Sequence, residues 1–223
     1  MASVPGIDVY YRDVASAPLQ IGLAKANGLG FIYAKATQGL TFVDPAYATI
    51  RTQCATAGGV LFGAYHYFQP GDDPIAQATF FLKTATPAIG DLRPMLDVEP
   101  TQINNETVNP DANQALICAK EIERVTGYLP WIYSGCDFYY NYLRTVFSDA
   151  PGWLARYPGE NPLSFIEANP KAIYKDMPWP QMWQYTDHQP EPGTPAALDG
   201  DLYLNTLEDL ANRHVIRLQL PTS

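Results

Sequence analysis

The sequence predicts an α/β fold in which roughly eight strands alternate with helices, and three observations point to it. Short apolar runs of strand length alternate with longer amphipathic runs. The joints carry Asp-Pro, Asn-Pro and Gly-Gly, residues that start helices or break them. Several apolar runs also end in a polar or charged residue. Strands separated by helices imply parallel pairing, because a parallel neighbour is reached by a crossover long enough to hold a helix. About eight of them favour a closed or nearly closed barrel over an open doubly wound sheet, and pattern alone leaves both open.

The elements follow in order. A first strand is expected near Ile7 to Tyr10, then a helix near Pro18 to Ala26 ended by Asn27-Gly28, a pair that tolerates the left-handed position past a helix end. Phe31 to Lys35 reads as strand two. Asp44-Pro45 supplies a cap and first-turn proline for a helix through Thr56, which Gly58-Gly59 stops before a strand from Val60 to Tyr67. Asp73-Pro74 opens a helix to Thr84, and Pro94 to Val98 is the next strand. Asn109-Pro110 opens the longest helix, to Thr126, with Gly127 ending it before a strand at Trp131 to Tyr133. Phe138 to Phe147 looks helical, and Trp153 to Tyr157 and Met182 to Tyr185 look like strands. Between them, Pro158 to Pro180 carries five prolines and reads as a long surface excursion. A short strand near Leu202 to Leu204 and a helix near Leu207 to Asn212 close the chain.

Composition narrows the function. The 223 residues hold 23 acidic and 14 basic side chains, a formal charge of -9, with 47% hydrophobic residues. That is a globular composition with ample length for a core. An acidic excess without any Lys/Arg run argues against nucleic acid and against an anionic membrane surface as partners. No stretch is long enough to span a bilayer, and Met1 to Gly6 lacks the positive cluster and apolar run of a secretory signal, so synthesis in the cytoplasm is expected. Cys54, Cys118 and Cys136 lack metal-ligand spacing and read as buried thiols. Fifteen tyrosines and four tryptophans are many for this length. Amphipathic rings suit flat sugar faces or interfaces, and core packing accounts for most of them.

In a parallel β/α barrel the chemistry sits at the carboxyl ends of the strands. The sharpest case is Met95-Leu96-Asp97-Val98-Glu99, an apolar strand that ends with carboxylates at i and i+2. Strand geometry points both to one side, about 6.7 Å apart at roughly 3.3 Å per residue. An ionised carboxylate raises the pKa of its neighbour, so one holds a proton near neutral pH while the other stays charged. Glycoside hydrolysis requires that pairing. The plainer alternatives are a solvent-capped strand end or a divalent-metal site. Asp8 ends the first strand and faces the same mouth, with turn capping as its plain alternative. Lys35 closes an apolar strand and needs a carboxylate partner if buried. The lone His66 in Tyr65-His66-Tyr67 reads as a satisfied structural histidine, not a base.

Six segments in order, Gly6-Ile7-Asp8-Val9, Tyr33-Ala34-Lys35-Ala36-Thr37-Gln38-Gly39, Gly63-Ala64-Tyr65-His66-Tyr67-Phe68, Leu96-Asp97-Val98-Glu99, Trp153-Leu154-Ala155-Arg156-Tyr157 and Trp183-Gln184-Tyr185, resemble the pattern of the glycoside hydrolase family 25 lysozymes. The likeness spans nearly the whole chain. It implies a single-domain, irregular, flattened TIM-like (β/α) barrel over residues 1–223, and a muramidase that cleaves peptidoglycan between N-acetylmuramic acid and N-acetylglucosamine. By the same likeness Glu99 is the proton donor, Asp97 the acetamide-orienting or stabilising carboxylate and Asp8 a second supporting aspartate, while Lys35, Tyr65, Tyr133, Tyr157 and Gln184 line the sugar cleft. No cofactor and no metal are implied. The partner is bacterial peptidoglycan, the chain is expected to be a monomer, and the absence of an export signal suits a phage or prophage lysin.

Two departures from the family pattern stand out. Gln38 replaces a glutamate beside Lys35. In Gly200-Asp201-Leu202-Tyr203-Leu204-Asn205, Tyr203 takes the place of an aspartate. Asp201 or Asp199 substitutes for it only if the strand is shifted, and a two-residue slip keeps the same facing; Asp201 is therefore counted with the sugar-binding residues. A missing carboxylate would instead mark a weak enzyme or an inactive module that holds glycan. Hydrolysis assisted by the substrate's own acetamide, and a two-step route through an enzyme nucleophile that pairs Glu99 with Asp8, are both compatible with the sequence.

Overall fold

The computed structural model describes residues 2–15, 18–159, 161–190 and 197–217. Eleven strands are formed among them: β1 (Val4–Val9), β2 (Phe31–Gln38), β3 (Phe42–Val43), β4 (Leu61–Tyr67), β5 (Met95–Asp97), β6 (Thr101–Ile103), β7 (Glu106–Val108), β8 (Trp131–Gly135), β9 (Gly152–Ala155), β10 (Met182–Pro190) and β11 (Ala197–Tyr203). Between and after them come α1 (Ile21–Ala26), α2 (Tyr47–Ala57), α3 (Pro74–Ala85), α4 (Ala112–Thr126), α5 (Cys136–Phe138), α6 (Pro162–Ala168) and α7 (Leu207–His214).

Eight strands close on themselves in the order β1-β2-β4-β5-β8-β9-β10-β11, with β11 returning to β1 and β3 hanging on the outer part of β2. Seven run parallel, as the alternation of strands and helices predicts. The eighth does not: β11 is antiparallel to both β10 and β1. Only six positions separate β10 from β11, too few for a crossover helix, and the two strands pair antiparallel. The start of β11 therefore lies at the barrel end where the other seven strands finish, and Asp199 stands opposite Asp8.

Side-chain alternation along each strand divides the core into two layers. Phe31, Tyr33, Trp131, Trp153, Met95, Met182 and Tyr203 point inward and fill the barrel. Their neighbours Ile32, Ala34, Leu96, Ile132, Leu154 and Leu202 point outward, toward helix residues such as Ile50, Phe81, Cys118 and Ile122. The interior is packed ring to edge: Tyr33 meets Trp153 at 4.8 Å between centroids and Phe31 meets Trp153 at 6.4 Å. The polar handles are satisfied within this layer. Trp131 Nε1 donates to the Tyr33 hydroxyl at 2.9 Å, which donates in turn to the Arg93 carbonyl at 2.9 Å.

The helix starts follow local chemistry. Asp73 caps α3 by accepting from Ala76 N at 2.7 Å, with Pro74 in the first turn. For α4 the cap is Asp111, which accepts from Asn113 N and Gln114 N, both at 2.9 Å, two residues past the expected Asn109. Asp44 accepts from Ala46 N and also from Tyr11 N at 3.0 Å, so it ties the β1 exit to the α2 entry. Gly127 ends α4 at φ 77°. The proline-rich excursion is partly ordered as α6, capped by Asn161 with Pro162 in its first turn. The expected helix at 138–147 is α5 followed by a π-helical turn, Tyr139–Leu143. The hairpin of β6 and β7, beyond Glu99, was not foreseen.

Two barrel glycines are dictated by the rings. A Cβ at Gly63 would lie 2.3 Å from Tyr33 Cε1, and one at Gly6 would lie 2.1 Å from Phe31 Cζ. Both rings are fully buried in the packed interior. The Gly63→Ala variant should therefore lose roughly 1–3 kcal/mol through overpacking, read as a lower thermal midpoint in calorimetry; an unchanged midpoint would show that the barrel interior is looser than these contacts require.

Candidate active site

The carboxyl end of the barrel gathers the charged residues. Asp8 from β1, Lys35 from β2, Tyr65 and Tyr67 from β4, Asp97 from β5, Glu99 just beyond it, Tyr133 from β8 and Asp199 from β11 line one cleft of about 160 Å³. Local backbone bonds fix the central pair. Phe68 N donates to the Asp97 carbonyl at 2.9 Å and Val98 N to the Tyr133 carbonyl at 3.0 Å. The strand thus stays extended past its last ladder pair, and Ser134 Oγ holds the Val98 carbonyl at 2.8 Å. Val98 points into the core, and Asp97 and Glu99 point to the cleft.

Lys35 is aimed by a bulge. The pairing of β2 with β4 shifts between Lys35 and Thr37, so Lys35 faces the cleft beside Tyr65 while Thr37 turns to the helix side. There Thr37 Oγ1 meets His66 Nδ1 at 2.7 Å, and Nε2 of the same ring meets Gln77 Oε1 at 3.2 Å. His66 is fully buried behind the site, and burial pushes it down to about 4, so it is neutral. The Lys35 ammonium donates to Gln38 Oε1 at 2.8 Å and stands 4.6 Å over the Tyr67 ring.

Below the cleft lies a hydrogen-bonded floor. Gln184, 1% exposed, accepts at Oε1 from the Tyr133 hydroxyl at 2.7 Å and from the Tyr157 hydroxyl, and its Nε2 donates to Asp8 Oδ2 at 2.6 Å. Trp153 Nε1 donates to Asp201 Oδ1 at 2.9 Å. Of the residues singled out by sequence, Asp8, Lys35, Tyr65, Asp97, Glu99 and Tyr133 line the cleft together, and Tyr157, 47% exposed, is joined to them through its hydrogen bond to Gln184. Gln184 and Asp201 are sealed beneath it, and Asp201 has no exposure at all, so neither presents a surface to a sugar.

The reversal of β11 accounts for this placement. Residues 199, 201 and 203 face inward in descending order, with Asp199 at the mouth, Asp201 in the floor and Tyr203 at the base. Tyr203 donates to Asp209 and meets His214 Nε2 at 3.1 Å, far from the carboxyl cleft. Asp199 thus supplies the carboxyl at the corner that Asp201 was expected to fill. Tyr10 and Tyr67, which also line the cleft, were not singled out by sequence. Each stands two residues from a residue that was, Asp8 and Tyr65, and the period-2 facing of a strand is the signal that identifies them.

Electrostatically the site is crowded with acid. Burial is the first cause in every case. It pushes Asp8 up to about 7 against the Gln184 hydrogen bond, and Glu99 up to about 7, with Asp199 adding and Lys35 opposing. Asp199 rises to about 8, helped by Asp8. Asp97 is raised as well, by burial and then by Glu99, with Lys35 pulling it back. Burial lowers Lys35, while Asp97 is the strongest of the charges that sustain its proton. One ammonium cannot balance this many carboxylates in a water-poor cleft, so several hold protons at neutral pH. A wider groove, about 860 Å³, lies between residues 144–154 and 176–181. Its Asp176 is exposed and held below the usual range by its hydrogen-bond partners, so it offers no proton donor near neutrality.

A closed β/α barrel whose mouth holds a glutamic acid of raised proton affinity, a second carboxyl two residues away and a wall of tyrosines has the groups that hydrolysis of glycosidic bonds uses. Residues 7–194 match the model of the glycosyl hydrolases family 25, and the chain belongs to that family. It is 32% identical over 211 residues to the uncharacterized protein YegX of Escherichia coli (strain K12), across 93% of this chain and 72% of that protein. It is also 26% identical over 213 residues to the N,O-diacetylmuramidase of Chalaropsis sp., across 85% and 93%. The fold is similar to that of a family 25 glycosyl hydrolase from Bacillus anthracis, with a TM-score of 0.79 at 20% identity over 95% of this chain and 94% of the other. The chain is therefore a glycosidase of the lysozyme class.

The raised carboxyls set a pH dependence of stability. Folded Asp8 and Glu99 keep protons to about 7 and Asp199 to about 8, whereas unfolded carboxyls lose theirs near 4. The folded state binds more protons in between, so this stabilisation is complete below the unfolded pKa and is lost as pH rises through the folded one. His66 and His214 act the other way; lowered to about 4 and about 3, they contribute fully above 6.5. From pH 6.5 to about 8 the carboxyls dominate. The thermal midpoint should fall across that window, less steeply in Asp199→Asn; a midpoint that rises there would contradict the proton-bearing cluster.

Proposed function

We propose that the chain is an N-acetylmuramidase that cleaves the β-1,4 bond between N-acetylmuramic acid and N-acetylglucosamine in bacterial peptidoglycan, with Glu99 as general acid. The observation that carries this reading is Glu99 itself, lining the cleft with its proton retained to about 7 through burial and the neighbouring Asp199. A glutamic acid in that state donates to the leaving sugar oxygen at neutral pH, and as a carboxylate it then takes a proton from the water that completes hydrolysis.

Asp97 is assigned to the substrate acetamide. Its Oδ1 is buried and meets no donor among the described residues, a cost of about 1–3 kcal/mol that an acetamide N–H would relieve. As the acetamide oxygen closes on the anomeric carbon, positive charge develops on the ring it forms, and Asp97, steadied by Lys35, offsets it. That interaction is stronger in the transition state than in the ground state, as catalysis requires. Asp8, fixed by Gln184, adds a second negative charge as it ionises near neutrality. Tyr65, Tyr133 and Tyr157 offer walls for the sugar faces. A carboxyl at 199 keeps the mouth acidic although 203 is tyrosine, which favours turnover over mere retention of glycan.

Purified protein should clear suspended bacterial walls and release new reducing ends, and Glu99→Gln should lower the rate by roughly 100- to 10,000-fold while leaving wall binding in place. Equal clearing by both would remove Glu99 from the mechanism. N-deacetylated peptidoglycan should be cut far more slowly than the acetylated polymer; equal rates would favour a two-step route with an enzyme nucleophile.

A further inference from the structure

Asp201 has no part in the chemistry described so far, yet it is the most buried carboxyl beneath the cleft. Trp153 Nε1 satisfies Oδ1, whereas Oδ2 is sealed from solvent and meets no N–H or hydroxyl donor among the described residues. What Asp201 does meet is the Asp8 carboxyl, at hydrogen-bonding range. Carboxylates are acceptors only, so this contact requires that one of the two carry a proton. Two ionised groups there would place like charges together in a dry site.

The surroundings decide which. Asp8 borders the open cleft and accepts a short N–H bond from Gln184, a contact that favours its charged form. Asp201 has the Trp153 bond alone, no exposure and no cation; Asp199 on its own strand and Tyr33 across the barrel add no positive charge. Around Asp8 stand Asp13, Asp97, Asp199, Glu99, Tyr65 and Tyr133, and among the described residues no cation joins them there, because Lys35 acts on Asp97, Asp44 and Glu99. We propose that Asp201 is a neutral carboxylic acid whose O–H donates a hydrogen bond to Asp8, making it a positioning residue that favours the ionised form of Asp8 and holds that carboxyl in place at the cleft. The donation fixes one Asp8 oxygen system from below as Gln184 fixes it from the side, so the negative charge at the mouth is held in one orientation.

The test separates a neutral Asp201 from a charged one. Asp201→Asn keeps both hydrogen bonds, with the amide N–H donating to Asp8 and its oxygen accepting from Trp153, and changes no charge if the acid is neutral. Its kcat/KM should stay within about threefold, and the acidic limb of the pH profile should not move. Asp201→Leu removes the donor and should move that limb up by about one unit. A limb that moves down by about one unit in Asp201→Asn would mean that a negative charge was removed, and would overturn the proposal.

The activity arm rests on the muramidase reading, so a second measurement stands apart from it. Infrared difference spectra between wild type and Asp201→Asn should contain the C=O stretch of a protonated carboxylic acid in dry surroundings, shifted by carbon-13 aspartate. Its absence from the folded protein would overturn the assignment whether or not walls are cleared, and whether or not Asp201→Leu folds. The band without turnover would sustain Asp201 and remove the muramidase reading.

Discussion

The carboxyls of the cleft rest on a layer of rings, and much else in the molecule follows from that contact. Tyr33, Trp131, Trp153 and Tyr203 fill the barrel without exposure worth the name, so no water column reaches Asp8, Asp97 or Asp201 from below. Charge in such a place costs free energy that only protons, Lys35 and a few hydrogen bonds offset. The same packing that stabilises the barrel therefore lifts the proton affinity of its mouth. Stability and acid strength are two readings of one interior, and enlarging or shrinking a ring there would alter both.

The return of β11 shapes the site as much as the seven parallel strands do. A parallel eighth strand would have carried its last residues to the mouth and placed Tyr203 there. Reversed, it brings Asp199 beside Asp8 and leaves Tyr203 to close the base with His214 and Asp209. One strand thus contributes a cleft carboxyl, a buried floor carboxyl and a base plug, spaced two residues apart on one face. The floor is cross-linked in the same manner: Gln184 of β10 joins Tyr133 of β8, Tyr157 after β9 and Asp8 of β1, so four strand ends are tied through one side chain.

Much of this was legible in the sequence, for reasons that can be named. The strand runs at 31–35, 60–67 and 131–133 are apolar and flanked by breakers, and Asp97 with Glu99 is readable because a period of two needs no tertiary information. Asp73-Pro74 gave its helix for the same local reason, and Asn161-Pro162 carries the same signal, obscured by the prolines around it. What could not be read depends on pairing. Strand direction at β11 is set by its short separation from β10 and by closure onto β1, not by its own residues, so Asp201 was counted with the cleft while Asp201 and Asp199 both stood as replacements for the carboxyl missing at Tyr203. The bulge that turns Lys35 inward and Thr37 outward is likewise invisible in composition, as is the burial of Gln184.

Gln38 shows how one uncharged residue governs the balance. Lys35 is the cation that opposes the rise of both Asp97 and Glu99, and its ammonium is bound at 2.8 Å by the Gln38 amide oxygen. A glutamate at 38 would hold the ammonium as an ion pair and screen it from the cleft, so that Asp97 would lose much of the support of Lys35 and hold its own proton more tightly. The amide anchors the lysine through a dipole and leaves its charge directed at the strand-end carboxyls. Tyr67, whose ring faces the ammonium at 4.6 Å, adds attraction of the same undemanding kind. The departure from the family pattern at 38 thus acts on the charge of Asp97 through Lys35.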